Sequence, residues 1–166
     1  MSDQTVPNSR AQRTGGDAES PAPPGLLDIE PIVALRELPT RGLADVLGIQ
    51  IVELTRERVV ATMPVDERTR QPFGILHGGA SVALAETAAS LGAVMNVDLQ
   101  RFMAVGLEIN ANHLRAMHAG VVTATAVPIH TGRTTQVWEV RIADEKGRLV
   151  CMSRCTLAVV PRREST

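Results

Sequence analysis

One stretch of the sequence decides the fold, and it runs from Gln71 to Met95 as QPFGILHGGASVALAETAASLGAVM. From Ala80 onwards it consists almost entirely of small and apolar residues without a proline, which predicts a helix. A helix that is apolar nearly all round is typically buried. Glu86, the only ionisable residue in this helical part, is therefore the feature that needs an explanation.

Glu86 requires either a structural partner or a chemical role, because burying a lone carboxylate is costly unless it is paired or protonated. Ser90 lies one turn later on the same side of the helix. Gly78 and Gly79 offer backbone N–H groups at the start of the helix, where negative charge is stabilised. A carboxylate together with such donors indicates carbonyl chemistry, and a structural ion pair is the alternative.

The spacing between Gly78 and Glu86 limits how they can act. Eight residues along a helix correspond to about 12 Å. Reacting atoms must approach to about 3 to 3.5 Å, so one helix cannot bring both groups to the same carbon. Two antiparallel helices lying side by side can do so. The sequence therefore predicts a homodimer with shared active sites.

The composition excludes several classes of protein. The chain has 166 residues, of which 44% are hydrophobic and 21% charged, as expected for one folded domain. A net charge of −1 and the presence of only two Phe, one Trp and no Tyr argue against a nucleic-acid partner. A membrane helix needs about 18 consecutive apolar residues, and no run in this sequence reaches that length. The polar N-terminus does not resemble a secretory signal. We therefore expect a cytoplasmic protein without a membrane partner.

The N-terminal part divides into a tail and the start of the domain. Residues 1–25 are rich in Ser, Pro, Gly and charge, and we expect them to form a disordered tail. Residues 26–166 are expected to form a single domain. It begins with a short helix over Leu26–Leu38 and a second one that Thr40 would cap and Gly48 would end.

The rest of the chain predicts strands, because apolar and polar residues alternate there. The predicted strands comprise one through Ile49 and Ile51, then Val59–Val65, Met103–Leu114, Val121–His130, Thr134–Ala143 and Leu149–Val160. The turn TRER is expected to join the first two strands as an antiparallel pair. The connections between the last four strands contain glycine and predict hairpin turns, among them His118-Ala119-Gly120. One long helix and about six antiparallel strands predict an α+β fold with the sheet wrapped around the helix. We expect an exposed edge of that sheet to pair with another subunit.

The sequence predicts neither a metal site nor a disulfide for its cysteines and histidines. Cys151 and Cys155 would lie about 13 Å apart on one face of a strand, too far to bridge, so we expect reduced packing residues. His113, His118 and His130 are scattered and lack metal-ligand spacing. No metal is predicted.

Four ordered blocks of the sequence carry a resemblance to a known family. They read MPVDERTRQPFGILHGGASVALAETAASLG, VGLEINANHLR, IHTGRTTQVWEV and DEKGRLVCMSRCTLAVV. Together they resemble the hotdog-fold acyl-CoA thioesterases, in the PaaI-like branch that includes 4-hydroxybenzoyl-CoA and 1,4-dihydroxy-2-naphthoyl-CoA thioesterases. The similarity covers about Leu43 to Val160. It implies a hotdog fold, in which the sheet wraps the long helix, and hydrolysis of coenzyme A thioesters.

The resemblance also implies catalytic roles. Glu86 would act as the nucleophile that forms a mixed anhydride or as the general base on a water, and Ser90 would position that water. The Gly78 N–H would hold the oxyanion, an interaction whose loss costs about 3 to 4 kcal/mol. Gln71 and His77 would lie near the carbonyl and the leaving thiolate, although His77 could instead brace its loop.

Coenzyme A is expected along the strands as part of the substrate, and no separate cofactor is implied. The implied contacts are Gly106, His113, Arg115, His130, Gly132, Arg133 and Thr134, with Arg162 and Arg163 as further candidates. The arginines suit phosphates, although a single charged residue is more often simply solvated. Ala116 departs from the family, in which proline commonly follows the arginine, and this leaves the pose of Arg115 open.

The resulting hypothesis is an acyl-CoA thioesterase acting on aromatic or bulky acyl groups, as a homodimer that the family often stacks into a homotetramer. The alternative from another class is a non-catalytic hotdog module that binds acyl-CoA. A hotdog dehydratase is disfavoured, because those enzymes use a histidine and an acidic partner in a different arrangement.

Overall fold

A computed structural model of the protein describes residues 42–162, and two helices and six strands lie in this range. In chain order the elements are α1 (Leu43–Leu47), β1 (Gln50–Leu54), β2 (Val59–Pro64), α2 (Gly78–Val94), β3 (Phe102–His113), β4 (Val121–Thr131), β5 (Thr135–Asp144) and β6 (Leu149–Pro161). The predicted disordered tail over residues 1–25, the predicted helix over Leu26–Leu38 and Arg163 lie outside the described residues.

The six strands form one antiparallel sheet in the order β1-β2-β4-β5-β6-β3. The long helix α2 packs against this sheet and contacts all six strands. This is the α+β hotdog architecture that the sequence and the resemblance predicted, so the fold class is confirmed. The bounds predicted for the five strands from Val59 onwards agree with the observed ones to within two residues, while β1 extends three residues beyond Ile51, to Leu54.

One predicted turn and one predicted helix cap were wrong. The first is the hairpin at His118-Ala119-Gly120, because β3 pairs with β6 while β4 pairs with β2 and β5. The connection crosses the sheet instead, and the Val65 N–H donates to the Gly120 carbonyl at 2.8 Å. Turn-forming residues mark a change of direction, but they do not specify which strands become neighbours.

The second error concerns the cap of helix α1. Its N-cap is Gly42 rather than Thr40, and the Gly42 N–H donates to the Asp45 carboxylate at 3.4 Å. The predicted end at Gly48 is confirmed, since this residue has a φ of 69° and forms the left-handed C-cap. Glycine favours that conformation because it has no Cβ.

Helix α2 is buried on one side, which corrects the prediction that it is buried all round. The buried residues are Ala80, Ser81, Leu84, Ala85, Ala88, Ala89, Gly92 and Ala93. Glu86 is exposed in the single chain, so the prediction of a buried carboxylate was wrong for one copy of the protein. The physical reason is that the sheet of one chain covers only one side of a helix whose sequence is apolar on both.

Gly92 allows helix α2 to lie directly on the largest side chain of the core. A Cβ at Gly92 would lie 2.9 Å from Cζ2 of Trp138 and closer still to two other ring atoms. Trp138 is fully buried and donates from Nε1 to Gln136 Oε1 at 3.1 Å. Gln136 in turn donates from Nε2 to the Ala93 carbonyl at 3.2 Å. These contacts set how closely the helix packs against the sheet.

Both cysteines are free and buried, as predicted from their spacing. Burial raises the pKa of the Cys151 thiol, and it raises that of the Cys155 thiol to about 11 with a further contribution from the negative charges of Glu86 and Glu108. Both side chains therefore remain protonated thiols at neutral pH.

Among the helices of residues 42–162, none is long and apolar enough to cross a membrane.

Replacing Gly92 with Ala should destabilise the protein, although alanine is the better helix former by about 0.5 to 1 kcal/mol. The added methyl group overlaps the Trp138 ring, and overpacking of this kind costs about 1 to 3 kcal/mol. Urea unfolding of the Gly92→Ala variant measures the change in the free energy of unfolding.

The matched control is the double variant Gly92→Ala with Trp138→Phe, because phenylalanine lacks the ring atoms that collide. We expect its loss to be smaller than the sum of the two single losses. Additive losses, or a gain of stability in Gly92→Ala alone, would contradict this packing account.

Candidate active site

The start of helix α2 is fixed by His77, which is its N-cap. His77 Nδ1 accepts a hydrogen bond from the Gly79 N–H at 2.8 Å. Nδ1 therefore carries no proton in this arrangement, and Nε2 carries the proton of the neutral ring. The loop-bracing role that the sequence left open for His77 is thus present, and the exposed ring still offers an Nε2–H donor.

The two glycine N–H groups at this helix start are not equivalent. The Gly79 N–H is occupied by His77, so the expectation that both glycines offer free donors was wrong for Gly79. Within residues 42–162 the Gly78 N–H has no protein acceptor. Gly78 is therefore the N–H that a carbonyl oxygen can reach.

Gln71 is held beside this helix start by a braced loop. Its N–H donates to the Ile75 carbonyl at 2.8 Å, and its own carbonyl accepts from the Gly74 N–H at 2.9 Å. The His77 N–H donates to the carbonyl of Thr69 at 2.8 Å, and the buried Thr69 hydroxyl donates to the Pro64 carbonyl at 2.8 Å. The backbone is thus fixed, while the half-buried Gln71 side chain remains available to a ligand.

A first cavity of about 310 Å³ lies at this end of the helix, and we call it the Gly78 cavity. Its lining includes Gln71, Leu76, Gly78, Ser81, His113 and Arg115. Four of the residues predicted for the carbonyl and for coenzyme A therefore come together. A Cβ at Gly78 would lie 2.8 Å from Nε2 of His113, so the His113 ring rests directly over the glycine.

A second cavity of about 550 Å³ lies along the exposed side of α2, and we call it the Glu86 cavity. Its lining consists of Leu43, Gly79, Val82, Ala83, Glu86, Thr87, Ser90 and Leu91. The predicted pairing of Glu86 with Ser90 on one side of the helix is confirmed. Within residues 42–162, Glu86 makes no hydrogen bond and no ion pair, so its carboxylate is not a structural partner of another side chain there.

Glu86 faces strand β3 at Gly106. A Cβ at Gly106 would lie 2.8 Å from Oε1 of Glu86. The negative charge of Glu86 is also felt by the thiol of Cys155, a buried residue that pairs with Ile109 of β3. The carboxylate therefore lies above the strands β3 and β6.

Four of the residues predicted to contact coenzyme A lie at the hairpin between β4 and β5 and line neither cavity. His130 and Gly132 are packed together, since a Cβ at Gly132 would overlap His130 Nε2. Arg133 and Thr134 are exposed at the tip of the hairpin. Arg162 donates to the Leu99 carbonyl at 3.0 Å, next to the start of the edge strand β3. One chain thus distributes the predicted site residues over separate regions.

The sequence analysis missed some residues and relations. It did not identify Leu43, Val82 and Thr87 as lining the Glu86 cavity. Helical spacing could have found Val82, four residues before Glu86, and Thr87, three residues before Ser90. The contact of Gly78 with His113 and that of Gly106 with Glu86 join distant parts of the chain. A glycine in a strand interior is a signal for close approach, but it does not name the partner.

No metal site is evident in the described part of the chain. Residues 42–162 contain no group of three or more His, Cys, Asp and Glu side chains arranged to hold a metal ion.

Thr87 donates its hydroxyl to the Ala83 carbonyl at 2.7 Å, so this hydroxyl already has a hydrogen-bond partner within the helix. The polar groups available to a ligand at the two cavities and at the helix start include the Gly78 N–H and the side chains of Gln71, His77, His113, Arg115, Glu86 and Ser90.

The sequence of the chain matches those of known proteins. A family model described as the thioesterase superfamily matches residues 73–151. Over 120 residues the chain is 62% identical to ComA2 of Bacillus subtilis, which is named an esterase only provisionally; the match covers 72% of this chain and 95% of ComA2. It is also 51% identical over 123 residues to a 1,4-dihydroxy-2-naphthoyl-CoA hydrolase of Listeria monocytogenes, with coverage of 74% and 99% respectively.

Solved structures give the same result. A crystal structure of a mutant of thioesterase PA1618 from Pseudomonas aeruginosa superimposes with a TM-score of 0.75 at 46% identity. The match covers 83% of this chain and 97% of that one. Sequence, fold and coverage agree, and the chain therefore belongs to the thioesterase superfamily as a hotdog-fold thioester hydrolase.

Proposed function

We propose that the protein hydrolyses acyl-CoA thioesters at a site formed by two copies of the chain. Glu86 of one copy acts on a carbonyl that the Gly78 N–H of the other copy polarises. The observation that carries this proposal is that the two groups lie in different cavities of one chain, with no lining residue in common among those described. Each chain supplies one half of two sites.

The exposed side of α2 supports a second copy as the missing cover. Val82, Ala83 and Leu91 lie on this side together with Glu86, so a largely apolar helix surface is left uncovered in the single chain. Small side chains allow two helices to approach closely, and the burial of apolar area favours association. Antiparallel helices in this contact bring Gly78 of each copy towards Glu86 of the other.

Strand β3 supports the same assembly. It is an edge strand of 12 residues whose described partner is β6 alone, and Met103 and Leu107 on it are exposed. A long and partly apolar edge strand is a template for pairing with another chain. Pairing of β3 with its copy joins two sheets and places the two α2 helices on the same side of the joined sheet. A further stacking of dimers into a tetramer follows only from the resemblance.

The chemistry needs the groups that the two cavities supply. Glu86 either attacks the thioester carbonyl and expels the thiolate, leaving a mixed anhydride for water to cleave, or removes a proton from a water that attacks directly. In both routes the carbonyl oxygen gains negative charge, which the Gly78 N–H stabilises at the positive end of helix α2. The thiolate then takes up a proton, and Ser90 is one turn from Glu86 to orient the water.

The acyl group is proposed to be aromatic or bulky. The Listeria relative is named a 1,4-dihydroxy-2-naphthoyl-CoA hydrolase, and the Glu86 cavity is bordered by the small residues Gly79 and Ala83. Such a border leaves room for a flat ring. Arg115 at the Gly78 cavity, and His130, Arg133 and Thr134 at the β4–β5 hairpin, remain proposed contacts of coenzyme A.

Replacing Glu86 with Gln should lower kcat on an aryl-CoA substrate by at least about 100-fold, the scale for a positioned acid-base group. Glutamine keeps the size of the side chain but cannot attack or accept a proton in the same way. Because Glu86 makes no hydrogen bond or ion pair within residues 42–162 and glutamine has the same shape, the thermal midpoint should change little. Steady-state hydrolysis of a panel of aryl-CoA and straight-chain acyl-CoA substrates measures the effect.

The matched control is Glu108→Gln, since Glu108 is another exposed carboxylate of the same region and its charge also reaches Cys155. This variant should keep the turnover of the unmodified protein. Turnover that survives in Glu86→Gln would contradict the proposed role of Glu86. A wild-type protein that binds the whole panel but hydrolyses none of it would instead identify an acyl-CoA binding module.

The Gly78 N–H can be removed by the substitution Gly78→Pro. Proline is tolerated at the first position of a helix, and the φ of −70° and ψ of 132° at His77 suit a residue that precedes proline. The Gly78→Ala variant adds a similar Cβ next to His113 but retains the N–H, so it is the control for the steric effect.

We expect kcat of Gly78→Pro to fall about 100- to 1000-fold below that of Gly78→Ala, the effect of losing one oxyanion donor. Single-turnover rates with saturating enzyme separate this loss from weaker binding. Equal rates in the two variants would mean that the Gly78 N–H does not take part in the reaction.

A further inference from the structure

We propose that Gly106 is a positioning residue, which sets the place of the Glu86 carboxylate by leaving a gap in strand β3. This inference rests on the hydrolase mechanism proposed above, in which Glu86 does the chemistry. It gives Gly106 a role that acts through Glu86, in contrast to the contact with coenzyme A that the resemblance implies.

The observation is the closeness of the two residues. A Cβ built on Gly106 would lie 2.8 Å from Oε1 of Glu86 and 3.9 Å from its Cδ, and apart from the adjoining residues Val105 and Leu107 no other described residue comes within 4 Å. A distance under about 3 Å is a steric overlap for two atoms that are not hydrogen-bonded. The space where a side chain would stand at position 106 is therefore taken up by the carboxylate of Glu86.

The backbone itself does not require a glycine at this position. The glycines with positive φ among residues 42–162 are Gly48, Gly74, Gly120 and Gly147, so Gly106 has a conformation that other residues adopt readily. Glycine inside a strand lowers its stability, and it typically marks a bulge or a place of close approach. Both descriptions apply here, since the register of β3 against β6 shifts between Gly106 and Glu108.

The carboxylate lacks other restraints in the described part of the chain. Within residues 42–162 no donor holds Glu86 in place through a hydrogen bond or an ion pair. Its position is thus limited by the surface beneath it, which is the strand at Gly106. A side chain at this point would push the carboxylate away from β3, along a helix whose backbone is fixed by the buried Trp138 contact.

The substitution Gly106→Ala tests this directly, because the new methyl group meets only the far end of a flexible side chain. The strand and the fold should therefore persist, and the carboxylate should move. We expect a crystal structure of the variant to have an unchanged backbone in α2 and β3 and a Glu86 carboxylate displaced by about 1 Å. A displacement of this size lowers the rate by about 100-fold in an aligned active site, so kcat should fall by about 10- to 100-fold.

The Michaelis constant separates positioning from binding. If Gly106 acts through Glu86, the loss lies in kcat, and KM for the acyl-CoA stays within about twofold of its wild-type value. If Gly106 mainly contacts coenzyme A, KM rises while kcat is retained. A change confined to KM would overturn the proposed positioning role.

A rescue by the shorter carboxylate supplies the second variant. Glu86→Asp withdraws the carboxylate from β3 by one methylene, which makes room for the methyl group of Gly106→Ala. We expect the Glu86→Asp substitution to cost at least about fivefold less in kcat in the Gly106→Ala background than in the wild-type background. Strictly multiplicative losses would overturn the inference, as would a carboxylate that does not move in the crystal structure.

The crystal structure of Gly106→Ala tests the positioning role of Gly106 independently of the catalytic role of Glu86. Full activity in Glu86→Gln would contradict the proposed function, and the position of the Glu86 carboxylate in Gly106→Ala would still decide whether Gly106 sets it. Conversely, an inactive Glu86→Gln together with an unmoved carboxylate in Gly106→Ala would retain the proposed function and remove the positioning role.

Discussion

The fixed rise of an α-helix is the constraint on which the account of this protein depends. Gly78 begins helix α2 and Glu86 lies eight residues further along it, so about 12 Å of helix separates an N–H donor from a carboxylate. The structure adds that the two groups open into different cavities of the same chain. In the proposed reaction each cavity supplies only one of the two groups, and we propose that a second copy of the helix supplies the other.

The same helix connects stability with the proposed chemistry. Its inner side is made of alanine, serine, glycine and one leucine, and Gly92 lets it rest against Trp138, so its position on the sheet is fixed by close packing. Its outer side carries Glu86 and Ser90 among small apolar residues. Where α2 approaches β3, a second glycine, Gly106, leaves the space that the Glu86 carboxylate occupies. Both points of close approach have a glycine. Gly92 serves the packing of the helix on Trp138, and Gly106 is proposed to serve the reaction of Glu86.

The sequence predicted the elements well and the relations between distant elements less well. The period-two pattern of β2 to β6 and the alanine-rich run of α2 are local signals, so these elements could be found within two residues. The exposure of Glu86 could not be predicted, because apolar residues indicate that a surface is covered but not whether the same chain or a second chain covers it. The contacts Gly78–His113 and Gly106–Glu86 depend on strand register and order, and the turn at His118-Ala119-Gly120 did not reveal that β3 pairs with β6.

Mixing two inactive variants tests the shared site most directly. Gly78→Pro lacks the donor and Glu86→Gln lacks the carboxylate, so a heterodimer of the two contains one intact site and one doubly defective site. If the site is shared, unfolding and refolding an equal mixture should restore about a quarter of the wild-type activity, because half of randomly paired dimers are heterodimers with one working site each. If Gly78 and Glu86 of the same chain act together, every mixture stays inactive, and that result would contradict the account.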